Sequence, residues 1–311
     1  MKNYSISRMR RQWTLLLIFL LAIMLDANAQ NQLLKETPGF SQVTIPNTEA
    51  RAFHSKILNR EMVLFIKFPA SYQINPQKVY PCWYFTDADI SFPMVANIAG
   101  TFEFPVIVEP EIFLVGIAYK INNMGEWGAL RTQDLTPTNI PSSDKYWTNV
   151  FSKVAGSQVE VRTGGAASFL DFISKELFPF IESNYRVSPI GRGLGGYSYG
   201  GLFSLYVLFS RPELFNFYYA GSPSIKYDNN LLFSLEDKYA RTHKDLKAKL
   251  FMSAGGSEDS VMIANMKKMA AQLESRRYPG FTVDTHVFPD ETHNSCIPSS
   301  VMRAFRVLYN K

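Results

Sequence analysis

From about residue 190 the chain alternates short apolar runs with segments of helical periodicity, and this alternation restricts its fold more than any other feature. Ile190–Gly195, Phe217–Ala220, Leu250–Ala254 and Phe281–Phe288 have the length and apolar content of strands. Gly201–Ser210, Val261–Arg277 and Ser299–Tyr309 separate or follow them with apolar residues at helical spacing. The pattern extends upstream. Val79–Thr86 and Glu111–Tyr119 read as buried strands, Phe92–Thr101 as a short helix, and Ala166–Asn184 as a helix whose apolar face carries Phe169, Leu170, Ile173, Leu177, Phe180 and Ile181. Such a chain belongs to the α/β class, with a mostly parallel central sheet flanked by helices on both faces. Ala50–Leu58 and Met62–Phe68, joined at Asn59-Arg60, add an N-terminal antiparallel hairpin.

Residues 121–165 break the pattern. They hold several Gly and Pro, with Trp127 and Trp147 and little periodicity, which predicts a long lid or binding loop. No linker divides residues 30–311, so a single domain is expected.

The first residues read as an export signal. Lys2, Arg8, Arg10 and Arg11 precede an apolar run from Leu15 to Leu25, and Ala27-Asn28-Ala29 places small residues where a signal peptidase cuts, before Gln30. A run of that length is short of the roughly 20 residues a spanning helix needs, so a secreted or periplasmic protein without a stable membrane anchor is expected. Residues 1–29 carry four basic residues and one acidic, so their loss takes the formal charge from +5 to +2. No basic stripe points to nucleic acid. Export permits a disulfide between Cys82 and Cys296, but two buried free thiols are preferred. No metal-ligand spacing involves either one, and no cofactor is expected.

The chemistry centres on Gly196-Tyr197-Ser198-Tyr199-Gly200, a G-x-S-x-G placed between a strand and an apolar helix. A serine there stands on a sharp turn with its hydroxyl exposed. The flanking glycines remove Cβ atoms where strand and helix pass closely. A serine nucleophile needs a base. Of the four histidines, His54 lies in the hairpin, His286 inside a strand and His243 in a charged stretch; His293 alone follows a strand downstream of the serine. Ligand sites of such sheets gather at the carboxyl ends of the strands, which selects His293. The acid belongs between Ser198 and His293 in chain order. Glu258 is preferred, in the loop after Leu250–Ala254; Asp259, Asp228 or a Ser–His dyad without an acid are the alternatives. Backbone N–H groups of Tyr199 and of Ala88, in Asp87-Ala88-Asp89, are the expected oxyanion donors.

These residues sit in segments that resemble the esterase family of the α/β-hydrolase superfamily that includes the siderophore (enterochelin-type) esterases. The resemblance runs from about Ile45 to Tyr309. It is carried by Trp83–Asp89, Arg131–Pro137, Gly164-Gly165-Ala166, Gly196–Gly201 with Leu202-Phe203, and Ser222-Pro223-Ser224. Ala88 stands where the family usually has Gly, and Tyr197 where it usually has His. The family's acid is most similar to Glu258, and some members use a dyad. The resemblance implies an α/β-hydrolase fold and hydrolysis of a small-molecule carboxylic ester through an acyl-enzyme, with a siderophore-type trilactone as the favoured substrate. Feruloyl or acetyl esters on carbohydrate, acyl transfer, or a non-catalytic periplasmic binding protein are the alternatives. Tyr197, Trp127 and Arg131 are candidate substrate contacts, Arg131 being more readily paired with Asp134 to hold the lid.

Overall fold

The computed structural model describes residues 44–103 and 110–309. The expected signal segment and its cleavage site lie outside them. The chain divides into two units, Met1–Thr44 and Ile45–Lys311, and all that follows belongs to the second.

Eight strands form one sheet: β1 (Thr48–Ser55), β2 (Arg60–Lys67), β3 (Cys82–Phe85), β4 (Phe113–Tyr119), β5 (Gly193–Tyr197), β6 (Phe217–Gly221), β7 (Ala248–Gly255) and β8 (Phe281–Phe288). Their order is β1-β2-β4-β3-β5-β6-β7-β8. The hairpin β1–β2 and its junction with β4 are antiparallel, and every other pairing is parallel. The helices are α1 (Ala88–Thr101), α2 (Met124–Asp134), α3 (Pro141–Ala155), α4 (Ala166–Phe172), α5 (Phe178–Asn184), α6 (Tyr199–Ser210), α7 (Tyr227–Thr242), α8 (Ser260–Arg276) and α9 (Ile297–Tyr309). A π-helical turn, Ile173–Leu177, joins α4 to α5, so the expected helix over 166–184 is continuous.

Every residue of β3 and β4 is buried, because helices cover both faces of the sheet. The alternation of a strand then divides its side chains between two cores. Cys82 and Tyr84 join Phe113, Phe169, Phe203 and Met266 on one face. Trp83 and Phe85 join Phe92, Leu114, Phe251 and Phe305 on the other. Each such side chain contributes roughly 1.5–3 kcal/mol by leaving water. Trp83, edge-on to Phe305 at 4.2 Å, anchors the α9 side.

The segment 121–165 holds two helices, contrary to the expectation of a loop. α2 is capped by Asn123, whose Oδ1 accepts from the N–H groups of Gly125 and Glu126. α3 ends at Gly156 in the left-handed conformation. The two pack through glycine: a Cβ on Gly128 would lie 2.3 Å from the Phe151 ring. Contact made through missing side chains leaves no apolar periodicity to read. α7 was also not legible, and the chain enters it through Asp228, Asn229 and Asn230, all with positive φ.

Between β3 and β5 the order of connections reverses, which opens a crevice at the carboxyl ends of these strands. The segments that follow β3, β5, β6, β7 and β8 meet there.

Candidate active site

Ser198 follows β5 directly, with φ 60° and ψ −111°, and α6 begins at the next residue. The turn depends on two glycines. A Cβ on Gly196 would lie 2.5 Å from the backbone of Gly200, and one on Gly200 would lie 2.4 Å from Thr86 Oγ1. The Ser198 N–H donates to Gly221 O at 2.8 Å, and its carbonyl accepts from Leu202 and from Ser224. These bonds hold a strained non-glycine residue in place. Ser198 Oγ has no hydrogen-bond partner among the described residues.

His293 lies in the turn after β8, its ring against that of Tyr197 with centroids 5.1 Å apart. Its Nδ1 is 2.9 Å from Glu258 Oε2. The Glu258 side chain is 1% exposed and that of His293 is 37% exposed. Glu258 Oε1 accepts from Gly255 N–H at 2.6 Å and from Ser222 Oγ at 2.5 Å. Burial alone would raise the pKa of this carboxyl. The hydrogen bonds from His293, Ser222 and Gly255 override burial and hold it below the ordinary value. It is therefore an anion that only accepts, so His293 donates to it from Nδ1, and Nε2 is the ring nitrogen left for other chemistry.

The other candidates stand elsewhere. Asp259 caps α8 by accepting from Val261 N–H and faces Lys226 at 3.2 Å. Asp228 accepts from Thr138 Oγ1. His54 pairs with Glu61, His243 stacks on Tyr239, and His286 stays within β8 beside Phe288. Cys82 and Cys296 are free and buried.

Ala88 and Tyr199 are the first residues of α1 and α6, where a backbone N–H has no carbonyl to bond within the helix. Thr86 N–H donates to Gly195 O at 3.1 Å, which ties the two turns together. Asp87 precedes Ala88 with φ 58°. Its carboxylate takes Arg131 Nε at 2.6 Å and Nη2 at 2.8 Å. The pairing of Arg131 with Asp134 expected above is thus corrected: Asp134 is bound by Arg60. The Arg131 guanidinium lies over the rings of Trp127 and Tyr199, at 5.0 and 5.5 Å. The Tyr197 hydroxyl is 2.6 Å from Ser222 Oγ. Sequence reasoning marked Ser222 only as part of a family-like segment and Asp87 as part of the expected oxyanion turn, and no local signal showed their partners.

The family model described as "Putative esterase" matches residues 141–294, which include Ser198, Glu258 and His293. Ferri-bacillibactin esterase BesA of Bacillus subtilis is 29% identical over 271 residues, spanning 85% of this chain and 90% of that one. This stretch of the chain therefore matches the esterase family, and relatives named as siderophore esterases match beyond it. A siderophore enterobactin esterase of Emericella nidulans is 43% identical over a shorter stretch of 126 residues, 39% of this chain and 38% of that one. The solved BES protein of Bacillus cereus matches with a TM-score of 0.73 and 26% identity, over 88% of this chain and 99% of that chain. The fold is that of the α/β-hydrolases.

Proposed function

We propose that the chain is an exported serine esterase that cleaves a siderophore-type carboxylic ester through an acyl-enzyme. The observation that carries the reading is the Glu258–His293 hydrogen bond set against the strained Ser198 turn, with Tyr197 touching the imidazole. Ser198 Oγ attacks the ester carbonyl while His293 Nε2 takes its proton. Glu258 holds the ring by Nδ1 and stabilises the imidazolium. The tetrahedral oxyanion accepts from the N–H groups of Tyr199 and Ala88, a donor of this kind being worth about 10²–10³ in rate. His293 then protonates the departing alkoxide, and water, activated by the same imidazole, releases the acid.

The substrate class is supported by relatives named as siderophore esterases. Export is supported by the basic start, the short apolar run and Ala27-Asn28-Ala29. Two experiments test the reading. A fluorophosphonate probe is expected to add one label per chain, located at Ser198 by peptide mass analysis. Incubation with a catecholate trilactone is expected to yield the linear trimer and smaller units by mass. An unlabelled, well-folded protein would contradict the serine mechanism, and an intact trilactone would contradict the substrate class.

A further inference from the structure

Glu258 is buried, and a carboxylate has two oxygens to orient. Only one, Oε2, meets His293. The other is held from two directions, by Gly255 N–H within its own loop and by Ser222 Oγ from the end of the neighbouring strand β6. The Ser222 hydroxyl is itself met by Tyr197 OH. The proton count fixes the directions. An ionised carboxylate only accepts, so Ser222 gives its single proton to Glu258. The Tyr197 hydroxyl must then be the donor to Ser222. Burial pushes the Tyr197 phenol well above its ordinary value, against the opposing effect of Ser222, so it keeps that proton.

The backbone around Ser222 points the same way. Ser222 is 1% exposed and has φ 36°, a left-handed conformation that glycine adopts without strain. Its N–H is tied to Ser253 O at 2.8 Å. A serine in this place supplies what glycine lacks, a hydroxyl aimed at the buried carboxylate.

We propose that Ser222 is a positioning residue, which, with Tyr197 behind it, holds the Glu258 carboxylate so that Oε2 faces His293. This rests on the triad reading above. It gives Tyr197, the residue before the nucleophile, two tasks: its ring edges the imidazole and its hydroxyl completes the relay Tyr197→Ser222→Glu258. The hydroxyl of Ser222 reaches the reacting groups only through Glu258, so its loss is expected on turnover and not on binding.

The test uses the full-length protein with p-nitrophenyl acetate, in Ser222→Ala, Tyr197→Phe, Glu258→Ala and their double variants. Each is first checked for a native circular dichroism spectrum. Ser222→Ala is expected to lower kcat about 10-fold, the scale of one hydrogen bond to a charged group, with KM within about twofold. Tyr197→Phe lowers kcat less, and the Tyr197→Phe/Ser222→Ala double variant matches Ser222→Ala alone, because Tyr197 acts through Ser222. In the Glu258→Ala background, Ser222→Ala has no further effect. Unchanged kcat in Ser222→Ala, or an undiminished loss in the Glu258→Ala background, overturns the relay. Should Glu258→Ala lose activity while Ser222→Ala does not, the relay falls and the triad stands. Should Glu258→Ala keep full activity, the triad falls and the relay with it. If Ser222→Ala does not fold, Tyr197→Phe decides: an unchanged kcat there overturns the proposal.

Discussion

Arg131 places two N–H donors on the Asp87 carboxylate, at 2.6 and 2.8 Å, and so fastens α2 to the turn that carries Ala88. Both side chains are largely buried, at 12% and 8% exposure. The guanidinium also lies over Tyr199, so one cation braces the two residues proposed to hold the oxyanion. Removing it leaves an unpaired buried anion, which costs about 3–5 kcal/mol. Arg131→Ala is expected to lower stability by that amount in urea unfolding. Arg131→Lys keeps the charge but not the planar two-point contact, and should fall between it and the parent in both stability and kcat.

The close approach of Gly200 to Thr86 sets the spacing of the same two turns. A Cβ at Gly200 meets Thr86 Oγ1 at 2.4 Å but Thr86 Cβ only at 3.7 Å. Gly200→Ala is expected to lower kcat/KM by about 10²-fold, the cost of misplacing reacting groups by about an ångström. Thr86→Ala in the same chain removes the offending oxygen and should recover much of the loss. Steady-state kinetics on the single and double variants checks this.

Asp89 predicts a pH effect on stability. Burial pushes its carboxyl up to about 6, only partly opposed by the Tyr119 N–H it accepts. In the unfolded chain the value is about 3.9. A carboxyl whose value is raised by folding costs stability when ionised. That cost is full above the folded value and vanishes below the unfolded one, so stability falls as pH rises through this window. Asp89→Asn keeps an oxygen for Tyr119. It should melt higher than the parent at about pH 7.5 and equally at about pH 3.5, by thermal unfolding.

The cysteines give a chemical count. Cys82 and Cys296 are both free and buried. Burial pushes the Cys296 thiol up to about 11. Neither thiol should react with a disulfide reagent in the native protein, and both should react in denaturant.

The sheet and the elbow were legible because their residues state their environment. β3 and β4 read as buried runs, and Ser198 declared its turn through the glycines around it. His293 was singled out by its address after a strand, and the fold sets it beside Glu258. Other features escaped because they are made of absent side chains or of distant partners. Gly125 and Gly128 pack α2 against α3 by presenting nothing, so no stripe marks the contact. Arg131 had an acid three residues on, Asp134, and proximity in sequence favoured that pairing; the fold gives it Asp87, 44 residues away. Glu258 and Asp259 are adjacent and chemically alike, and only the turn decides that one faces His293 while the other caps α8.

The most direct test of the account is kcat/KM of Ser198→Ala on a small chromogenic ester, beside a melting curve of the same variant. A nucleophilic Ser198 predicts a fall of about 10⁴-fold or more with the folded state intact. Turnover within about tenfold of the parent in a folded Ser198→Ala protein would contradict it, since ester cleavage would then proceed without this hydroxyl.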